Sequence, residues 1–266
     1  MSTLFFTCAN APYEDFIPLY AYSVLRHVKD SRLEFGVEDV PGFLKRHGRA
    51  IGVVQNVYGT ESVKLRAVPW SMPDGSRILP NTVRFINEPE TKSDYVYIGD
   101  VDIIVVDPDL VGRHLKNMEK MNIPYSNSVR PGTKRMSGLH FAPMDSYYPV
   151  VDISDLNVGS MNDEELLYEL VRRKGFPILL DHWYRPSHGI HISPNRPVLK
   201  KTDDKGHVTP GWGIEPHKDA WKALNRIESF RRLRGLLSQR VKTCLTEIDH
   251  VVGMEVRQRA SPLIEL

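Results

Sequence analysis

The chain has 266 residues, of which 41% are hydrophobic and 26% are charged. These ordinary values argue against a disordered chain, a collagen-like repeat or a coiled-coil rod. Thirty-five basic and thirty-three acidic side chains leave a formal charge of +2, so the chain lacks the basic excess of a dedicated nucleic-acid-binding protein and no nucleic-acid partner is expected. Two cysteines are too few for a disulfide framework or a cysteine-based zinc site, which favours a reducing compartment.

The N-terminal sequence MSTLFFTCANAPYEDF lacks the basic start and long apolar run of a signal peptide. No stretch of about 18 uncharged apolar residues, the length of a membrane-spanning helix, occurs in the chain. We therefore expect a cytoplasmic protein that lies at most peripherally on the inner face of a membrane.

The first 60 residues alternate between strand and helix patterns. Leu4–Ala9 and Leu33–Val37 are short runs of strand-forming residues and are predicted to be buried strands. Between them, apolar residues from Phe16 to Val28 recur every three or four positions, which predicts a helix. Val40–His47 is predicted to be a short helix that Pro41 opens, and Ala50–Val57 a third extended segment.

The middle of the chain continues the alternation. Asp94–Val106 is a long run of strand-forming residues interrupted near its centre, and Met136–Pro143 and Pro177–Leu180 are further extended segments. Helices are predicted after Asp107-Pro108-Asp109 and from Asn162 to Gly175. The order predicts an α/β fold: a mainly parallel nucleotide-binding sheet flanked by helices, with a C-terminal helical extension.

Composition changes beyond residue 200, where an exposed connector precedes an amphipathic helix from Trp221 to Val241. We expect a catalytic domain over residues 1–200, and a connector with a basic helical region over 201–266. Residues 218–242 hold eight basic and two acidic side chains, a local charge of +6. Two interpretations stay open: the apolar stripe packs on the catalytic domain, or the helix lies peripherally on an anionic membrane.

Asp100 and Asp102 emerge at the end of a predicted buried strand. Their carboxylates are hard oxygen ligands for Mg²⁺ or Mn²⁺, which would neutralise a diphosphate. The same triplet occurs in Asp107-Pro108-Asp109, where helix capping explains it. The carboxyl end of a strand is where open α/β sheets bind ligands, so position favours Asp100 and Asp102 as the metal site.

Four stretches carry a resemblance to a known family: TCANAPYEDF, NTVRFINEPETKSDYVYIGDVDIIV, MSGLHF, and MNDEELLYEL followed by GIHISPNRP. In this order they resemble the GT-A fold nucleotide-sugar glycosyltransferases, and within them the retaining family-eight group that includes glycogenin and bacterial lipopolysaccharide galactosyltransferases. The resemblance covers residues 1–200. It departs from the family pattern at Asn10, where aspartate is common, at Pro194, where glycine is usual, and at Arg196, where lysine is usual.

The resemblance implies a role for each of twelve residues. It assigns nucleotide binding to Ala9, Asn10, Tyr13, Arg84 and Asp100, and sugar binding to Arg84, Ser137, Gly138 and Asp163. It assigns phosphate binding to Arg196, the metal site to Asp100, Asp102 and His191, and catalysis to Asp163 and Glu164. The implied cofactor is Mn²⁺ or Mg²⁺, and the implied donor is a UDP-sugar.

Each assignment has a structural alternative. Tyr13 could staple the first helix, Arg84 could be a surface cation, and Asp163 and Glu164 could serve only at a helix N-terminus. His188 and His191 could be solvated loop histidines, with His191 the better ligand because it lies in a strand-like run. Asp181-His182-Trp183 offers an acid/base group or, at Trp183, an acceptor-side or structural role.

The predicted function is that of a metal-dependent hexosyltransferase in surface polysaccharide or lipopolysaccharide synthesis. It would move a sugar, with retention, from a nucleotide-diphosphate donor to a glycan or lipid-linked acceptor. The alternatives are an inverting GT-A transferase, a nucleotidyltransferase or a non-catalytic nucleotide-binding module. A nucleotidyltransferase would carry a glycine-rich basic loop after the first strand, and Ala9-Asn10-Ala11-Pro12 is not one.

Overall fold

The computed structural model describes residues 1–72, 75–180, 184, 188–193, 196–199, 201–202, 208–209 and 211–254. Its strands are β1 (Thr3–Cys8), β2 (Ser31–Val37), β3 (Lys64–Ala67), β4 (Tyr95–Ile98), β5 (Ile103–Val105), β6 (His140–Pro143), β7 (Gly189–His191), β8 (Lys201–Thr202) and β9 (Val208–Thr209). Its α-helices are α1 (Ile17–His27), α2 (Val40–Tyr58), α3 (Val83–Ile86), α4 (Leu110–Met121), α5 (Met144–Tyr147), α6 (Asp163–Arg173), α7 (Lys218–Arg226), α8 (Glu228–Leu236) and α9 (Gln239–Val251).

The central sheet has the strand order β3-β2-β1-β4-β6. The first four strands in this order are parallel, and β6 runs antiparallel to β4 at one edge. A separate antiparallel pair joins β5 to β7, and β8 pairs with β9. The predicted α/β fold with a mainly parallel sheet is confirmed.

Successive side chains of β1 point to opposite faces of the sheet, as the period of a strand requires. Phe5 belongs to a hydrophobic cluster that also holds α1, α2 and the C-terminal helices, whereas Leu4 and Phe6 belong to a second cluster with α3 and α6. Every residue of β1 is buried. The sheet is therefore covered by helices on both faces, and the ends of its strands are left open.

Two predicted elements were wrong. Ala50–Val57, predicted to be extended, is the second half of the single helix α2, which buries Phe43, His47, Ala50, Ile51 and Val54 at helical spacing. The β-branched Val53 and Val54 favour a strand locally, but the apolar period and the packing against α1 and α8 decide the structure. Pro177–Leu180 forms no strand.

The predicted C-terminal helix is three helices, because the chain becomes extended at Ile227 and at Leu237. Six residues of the apolar stripe are buried, and the seventh, Ile227, is partly buried against the same cluster; the six are Trp221, Leu224, Phe230, Leu233, Leu237 and Val241. It packs in the cluster that contains α1 and α2, which is the first of the two predicted alternatives. Peripheral membrane association of these side chains is not supported, and the division of the chain near residue 200 stays a prediction.

Among the described residues, no helix combines the length and the apolar character that crossing a bilayer requires.

Candidate active site

Neighbouring parallel strands bring the first predicted site residues together. Strands β1 and β4 are adjacent and parallel, so their carboxyl ends meet at one edge of the sheet. Asn10 follows β1 by two residues and Asp100 follows β4 by two. Because β6 is antiparallel, its amino end lies at this same edge, and Ser137 and Gly138 arrive there just before it.

His191 reaches the site through the small sheet. Strand β7 pairs antiparallel with β5, which places His191 opposite Ile103. The backbone N–H of Ile192 also donates to the carbonyl of Asp102 at 2.9 Å. These two contacts bring His191 next to Asp102, although the two residues are 89 positions apart in the chain.

Asp100, Asp102 and His191 form a cluster of three donor atoms, all within 4.8 Å of one another. His191 Nε2 lies 3.1 Å from Asp102 Oδ1 and 3.9 Å from Asp100 Oδ2. Asp102 is 5% exposed, and two close carboxylates in such a place need a cation. Two carboxylate oxygens and an imidazole nitrogen suit Mn²⁺ or Mg²⁺, so the residues fit the metal that the sequence implies.

Arg196 contacts the far side of the His191 ring. Its Nη1 donates to Nδ1 of His191 at 3.0 Å. Since a guanidinium only donates, Nδ1 is the acceptor here, and the ring proton lies on Nε2, facing Asp102. The late loop therefore holds the Arg196 guanidinium directly beside the cluster of Asp100, Asp102 and His191.

Arg84 is buried at the centre of the site, at 4% exposure, on the single-turn helix α3. Its Nη2 lies 2.9 Å from Asp100 Oδ1 and 2.9 Å from Asp163 Oδ2. Burial lowers the pKa of this guanidinium, but the carboxylates of Asp100 and Asp163 outweigh burial and raise it. Arg84 is a buried structural and electrostatic link between the two acidic groups, and the alternative of a surface cation is wrong.

Asp163 and Glu164 lie in the first turn of α6, but the helix is capped by another residue. Asn162 accepts from the N–H of Glu165 at 2.9 Å, and the Glu165 carboxylate reaches back to the N–H of Asn162 at 3.3 Å, a capping box. Neither Asp163 nor Glu164 is needed as the cap. Both instead face the pocket.

The two acidic side chains have different partners. Asp163 Oδ1 accepts from Asn81 Nδ2 at 2.8 Å, and its other oxygen contacts Arg84. Glu164 forms a two-point ion pair with Arg130. The Glu164 charge is thus neutralised by the Arg130 guanidinium alone, whereas Asp163 and Asp100 share the guanidinium of Arg84.

Gly138 lies where the sugar is expected, and the space above it is filled by the ion pair. A Cβ added there would lie 2.9 Å from Arg84 Nη2 and 3.1 Å from Asp163 Oδ2. Only glycine leaves these two groups in place. The carbonyl of Gly138 also lies 3.4 Å from Arg84 Nη2.

The other end of the site is formed by the loop after β1. Tyr13 is half-buried beside Phe16, with the ring centroids 6.1 Å apart. Burial, and after it the carboxylate of Asp102, raise the pKa of the Tyr13 phenol. Asn10 Oδ1 is buried and has no hydrogen-bond partner among the described residues, so an acceptor stands ready for a ligand N–H.

The structure brings the twelve predicted site residues around one pocket of about 480 Å³. They are Ala9, Asn10, Tyr13, Arg84, Asp100, Asp102, Ser137, Gly138, Asp163, Glu164, His191 and Arg196. His188 lies elsewhere: it is buried, with its Nε2 3.2 Å from Nε2 of His114. Residues 181–183, for which an acid/base or acceptor-side role was weighed, lie outside the described residues.

Sequence reasoning missed further residues of the pocket wall. Asn81 and Arg130, which hold Asp163 and Glu164, gave no sequence signal because their partners are 82 and 34 positions away. Cys8, the last residue of β1, also lines the pocket. Burial raises the pKa of its thiol to about 12, so it is not a nucleophile.

No protein-family model and no curated sequence matches the chain. Similar solved structures include the glycosyltransferase GlyE of Streptococcus pneumoniae, at 13% identity and a TM-score of 0.43 over 64% of this chain and 42% of that one. An active-site mutant of LgtC matches at 13% identity and 0.44 over 63% and 70%, and S. aureus TarS 1-349 at 9% and 0.42 over 93% and 70%. The chain thus spans less than half of GlyE.

Proposed function

We propose that this protein is a glycosyltransferase that uses a divalent cation, Mn²⁺ or Mg²⁺, and a UDP-sugar donor. The observation that carries the proposal is the meeting of Asp100, Asp102 and His191 in one pocket, with Tyr13 and Asn10 at one end and Asp163 at the other. A metal-bound diphosphate in the middle would place the base against Tyr13 and Asn10 and the sugar against Asp163.

The base end fits uracil. Tyr13 offers an aromatic face, and the buried, unpaired Oδ1 of Asn10 is an acceptor suited to a ring N–H, within the part of the chain that the structure describes. An aspartate, common at this position in the family that the sequence resembles, would supply the same acceptor. Asn10 therefore does not argue against UDP.

The chemistry follows from charge. The bond between the sugar anomeric carbon and the diphosphate breaks, the bond to the acceptor oxygen forms, and the acceptor proton passes to a phosphate oxygen of the departing UDP. A bound divalent cation supplies charge neutralisation for the leaving diphosphate. Arg196, the cation of the late loop beside His191, adds a forked donor for phosphate oxygens.

We infer retention of configuration from the acidic groups at the sugar end. Asp163 is the better candidate for stabilising positive charge on the sugar, because Arg84 and Asn81 fix both its oxygens. Glu164 is engaged with Arg130. An inverting enzyme would need a free carboxylate base beside the acceptor. The acceptor is a glycan or lipid-linked glycan, as in surface polysaccharide or lipopolysaccharide synthesis.

The first prediction is that UDP binding needs the metal cluster. Calorimetry of UDP in the presence of Mn²⁺ should show affinity falling by about tenfold or more in Asp102→Asn or after chelation, because the diphosphate loses its counter-charge. Asp109→Asn is the matched control, since it alters the other Asp-x-Asp triplet at the exposed start of α4. Equal binding with and without metal would contradict the proposal.

Turnover separates the alternatives. A panel of UDP-sugars with Mn²⁺ should give slow hydrolysis of one donor, and proton NMR of the newly released sugar should show the donor's own anomer first. Release of the opposite anomer would indicate an inverting enzyme. Incorporation of a nucleoside triphosphate into a sugar phosphate would indicate a nucleotidyltransferase, and UDP binding without any turnover would indicate a binding module.

A further inference from the structure

Arg240, near the start of α9, contacts the loop that follows β1. Its Nη1 donates to the carbonyl of Pro12, and its guanidinium carbon lies 5.5 Å from the centroid of the Tyr13 ring and 5.3 Å from that of Phe16. A guanidinium at these distances from an aromatic ring makes a cation–π contact. The side chain thus holds the loop at its backbone and at two rings.

The helix that carries Arg240 is firmly placed. Ser238 caps it, with its side chain accepting from the N–H of Val241 at 3.4 Å. Val241, Leu245 and Ile248 are fully buried in the cluster that includes α1. Arg240 is therefore anchored in the core through its helix, while its tip reaches the mouth of the pocket.

Tyr13 contacts Arg240 and also lines the pocket, together with Pro12. Its hydroxyphenyl ring is the aromatic group that the described pocket wall offers to a planar base. A ring that is already oriented before the base arrives loses less conformational freedom on binding. The contact from α9 supplies that orientation.

We propose that Arg240 positions Tyr13 for stacking on the nucleobase, so that helix α9 completes the nucleotide site. This inference rests on the proposed function, because it takes the ligand to be a nucleoside diphosphate. Arg240 is a positioning residue: it acts on the base through Tyr13, and it does not act on the diphosphate or on the metal cluster.

The experiment compares a ligand that has a base with one that lacks it. In the presence of Mn²⁺, Arg240→Ala should weaken UDP binding by about two- to fivefold, the loss expected for an exposed cation–π contact. Inorganic pyrophosphate, measured under the same conditions, should bind with unchanged affinity. In a Tyr13→Ala background, Arg240→Ala should have no further effect on UDP, since the residue through which it acts is gone.

Two further variants keep the test decisive. Arg240→Gln keeps a polar side chain but lacks the charge and the full reach of arginine, and it substitutes for the alanine variant, with the same expected loss, should that one fail to fold. Lys242→Ala removes one positive charge from the same helix and should leave both ligands unaffected. An equal loss for UDP and pyrophosphate, an unchanged UDP affinity, or additive effects of Arg240→Ala and Tyr13→Ala would each overturn the inference. Failure of the unmodified protein to bind UDP with Mn²⁺ would overturn the proposed function and this inference with it.

Discussion

Arg84 links the candidate metal ligands to the proposed sugar end of the pocket through a single nitrogen. Its Nη2 contacts Asp100, a candidate metal ligand, and Asp163, the candidate sugar-side carboxylate. One guanidinium charge is shared between two carboxylates. A cation bound to Asp100 would weaken the Arg84–Asp100 ion pair, and Arg84 could then interact more strongly with Asp163. The two ends of the site are therefore electrostatically coupled.

A second coupling involves His191. Coordination of a cation by Nε2 requires that this nitrogen carry no proton, which leaves the proton of the neutral ring on Nδ1. Arg196 now donates to Nδ1, and two donors cannot face each other there. The His191 ring can therefore either bind a cation through Nε2 or accept the hydrogen bond from Arg196, but not both. Once that hydrogen bond is broken, Arg196 would be available to phosphate oxygens.

At residue scale, Gly138 gives the sharpest prediction. Gly138→Ala should lower UDP-sugar turnover by about tenfold or more, because its Cβ displaces the Arg84–Asp163 pair from the geometry that the sugar needs. UDP affinity, measured by calorimetry, should fall less than turnover does, since the groups at the base end are untouched and only Asp100 of the candidate metal ligands contacts the displaced guanidinium.

Gly52→Ala is the matched control for this variant. It adds the same methyl group in α2, where nothing lies within 4 Å of the new Cβ, and alanine is the better helix former. If Gly138→Ala turned over its donor as fast as the unmodified protein, the sugar would not lie against this pair.

The candidate site residues differ in how far the sequence could predict them. Asp100 and Asp102 were predictable from position, since polar residues at a strand end mark the ligand-binding edge of an α/β sheet. His191 was identified through the family resemblance, and its approach depends on the pairing of β5 and β7. Arg130 and Arg240 carried no signal, because a charged residue on a solvated stretch is the ordinary case and their partners are distant.

At element scale, helix period predicted more than residue type did. The start of α6 was predictable from Asn162 and the acidic residues after it, and the capping box is present. Helix α2 was predicted only in part, because Val53 and Val54 are strand formers that a buried helix face also accepts. The breaks at Ile227 and Leu237 were missed, since the apolar spacing continues across both and only the packing shows where the chain turns.

The C-terminal helices give the prediction at this scale. Trp221 is fully buried, its Nε1 donates to Asp249 at 2.9 Å, and its ring makes a T-shaped contact with that of Phe230. Trp221→Ala should therefore lower the free energy of unfolding by about 3–5 kcal/mol, measured by urea denaturation, through lost burial and a cavity.

Lys222→Ala, at the next position on the same helix, should change the free energy of unfolding by less than about 0.5 kcal/mol. The opposite result would be a Trp221→Ala protein of unchanged stability that no longer sediments with anionic vesicles. Only then would the stripe serve a membrane surface instead of the core.

At the scale of the whole molecule, the same sheet has two ionic environments. Its ligand edge gathers charged groups that pair with one another, while its two faces hold neutral polar groups sealed from water. His114 and His140 are each 1% exposed. His114 accepts or donates to Ser126 at 2.8 Å, and Asn127 contacts His140 Nδ1 at 3.2 Å. Separating charge at one edge from neutral groups inside keeps the core free of unpaired ions.

This arrangement predicts how stability depends on pH. Burial lowers the pKa of His140 to about 3, and burial, with the neighbouring His188 and His140, lowers that of His114 well below its usual value. In the unfolded chain both titrate near about 6.5. Below that pH the unfolded state binds more protons, so the free energy of unfolding falls as the pH drops.

Urea denaturation between pH 7.5 and 5 should show this fall, by up to about 1.4 kcal/mol per pH unit for each of the two histidines below about pH 6.5. The range stops at pH 5 because carboxylates add the same trend at lower pH. For Glu34, burial raises the pKa, but hydrogen bonds from the backbone of Glu90 and Thr91 and from Arg66 together outweigh burial and lower it. His140→Gln should reduce the slope of unfolding free energy against pH by up to about 1.4 kcal/mol per pH unit, the contribution of one proton. His250→Gln, at an exposed position on α9, should leave the slope unchanged. A slope that is the same in His140→Gln and the unmodified protein would show that His140 is protonated in the folded state, contrary to its sealed environment.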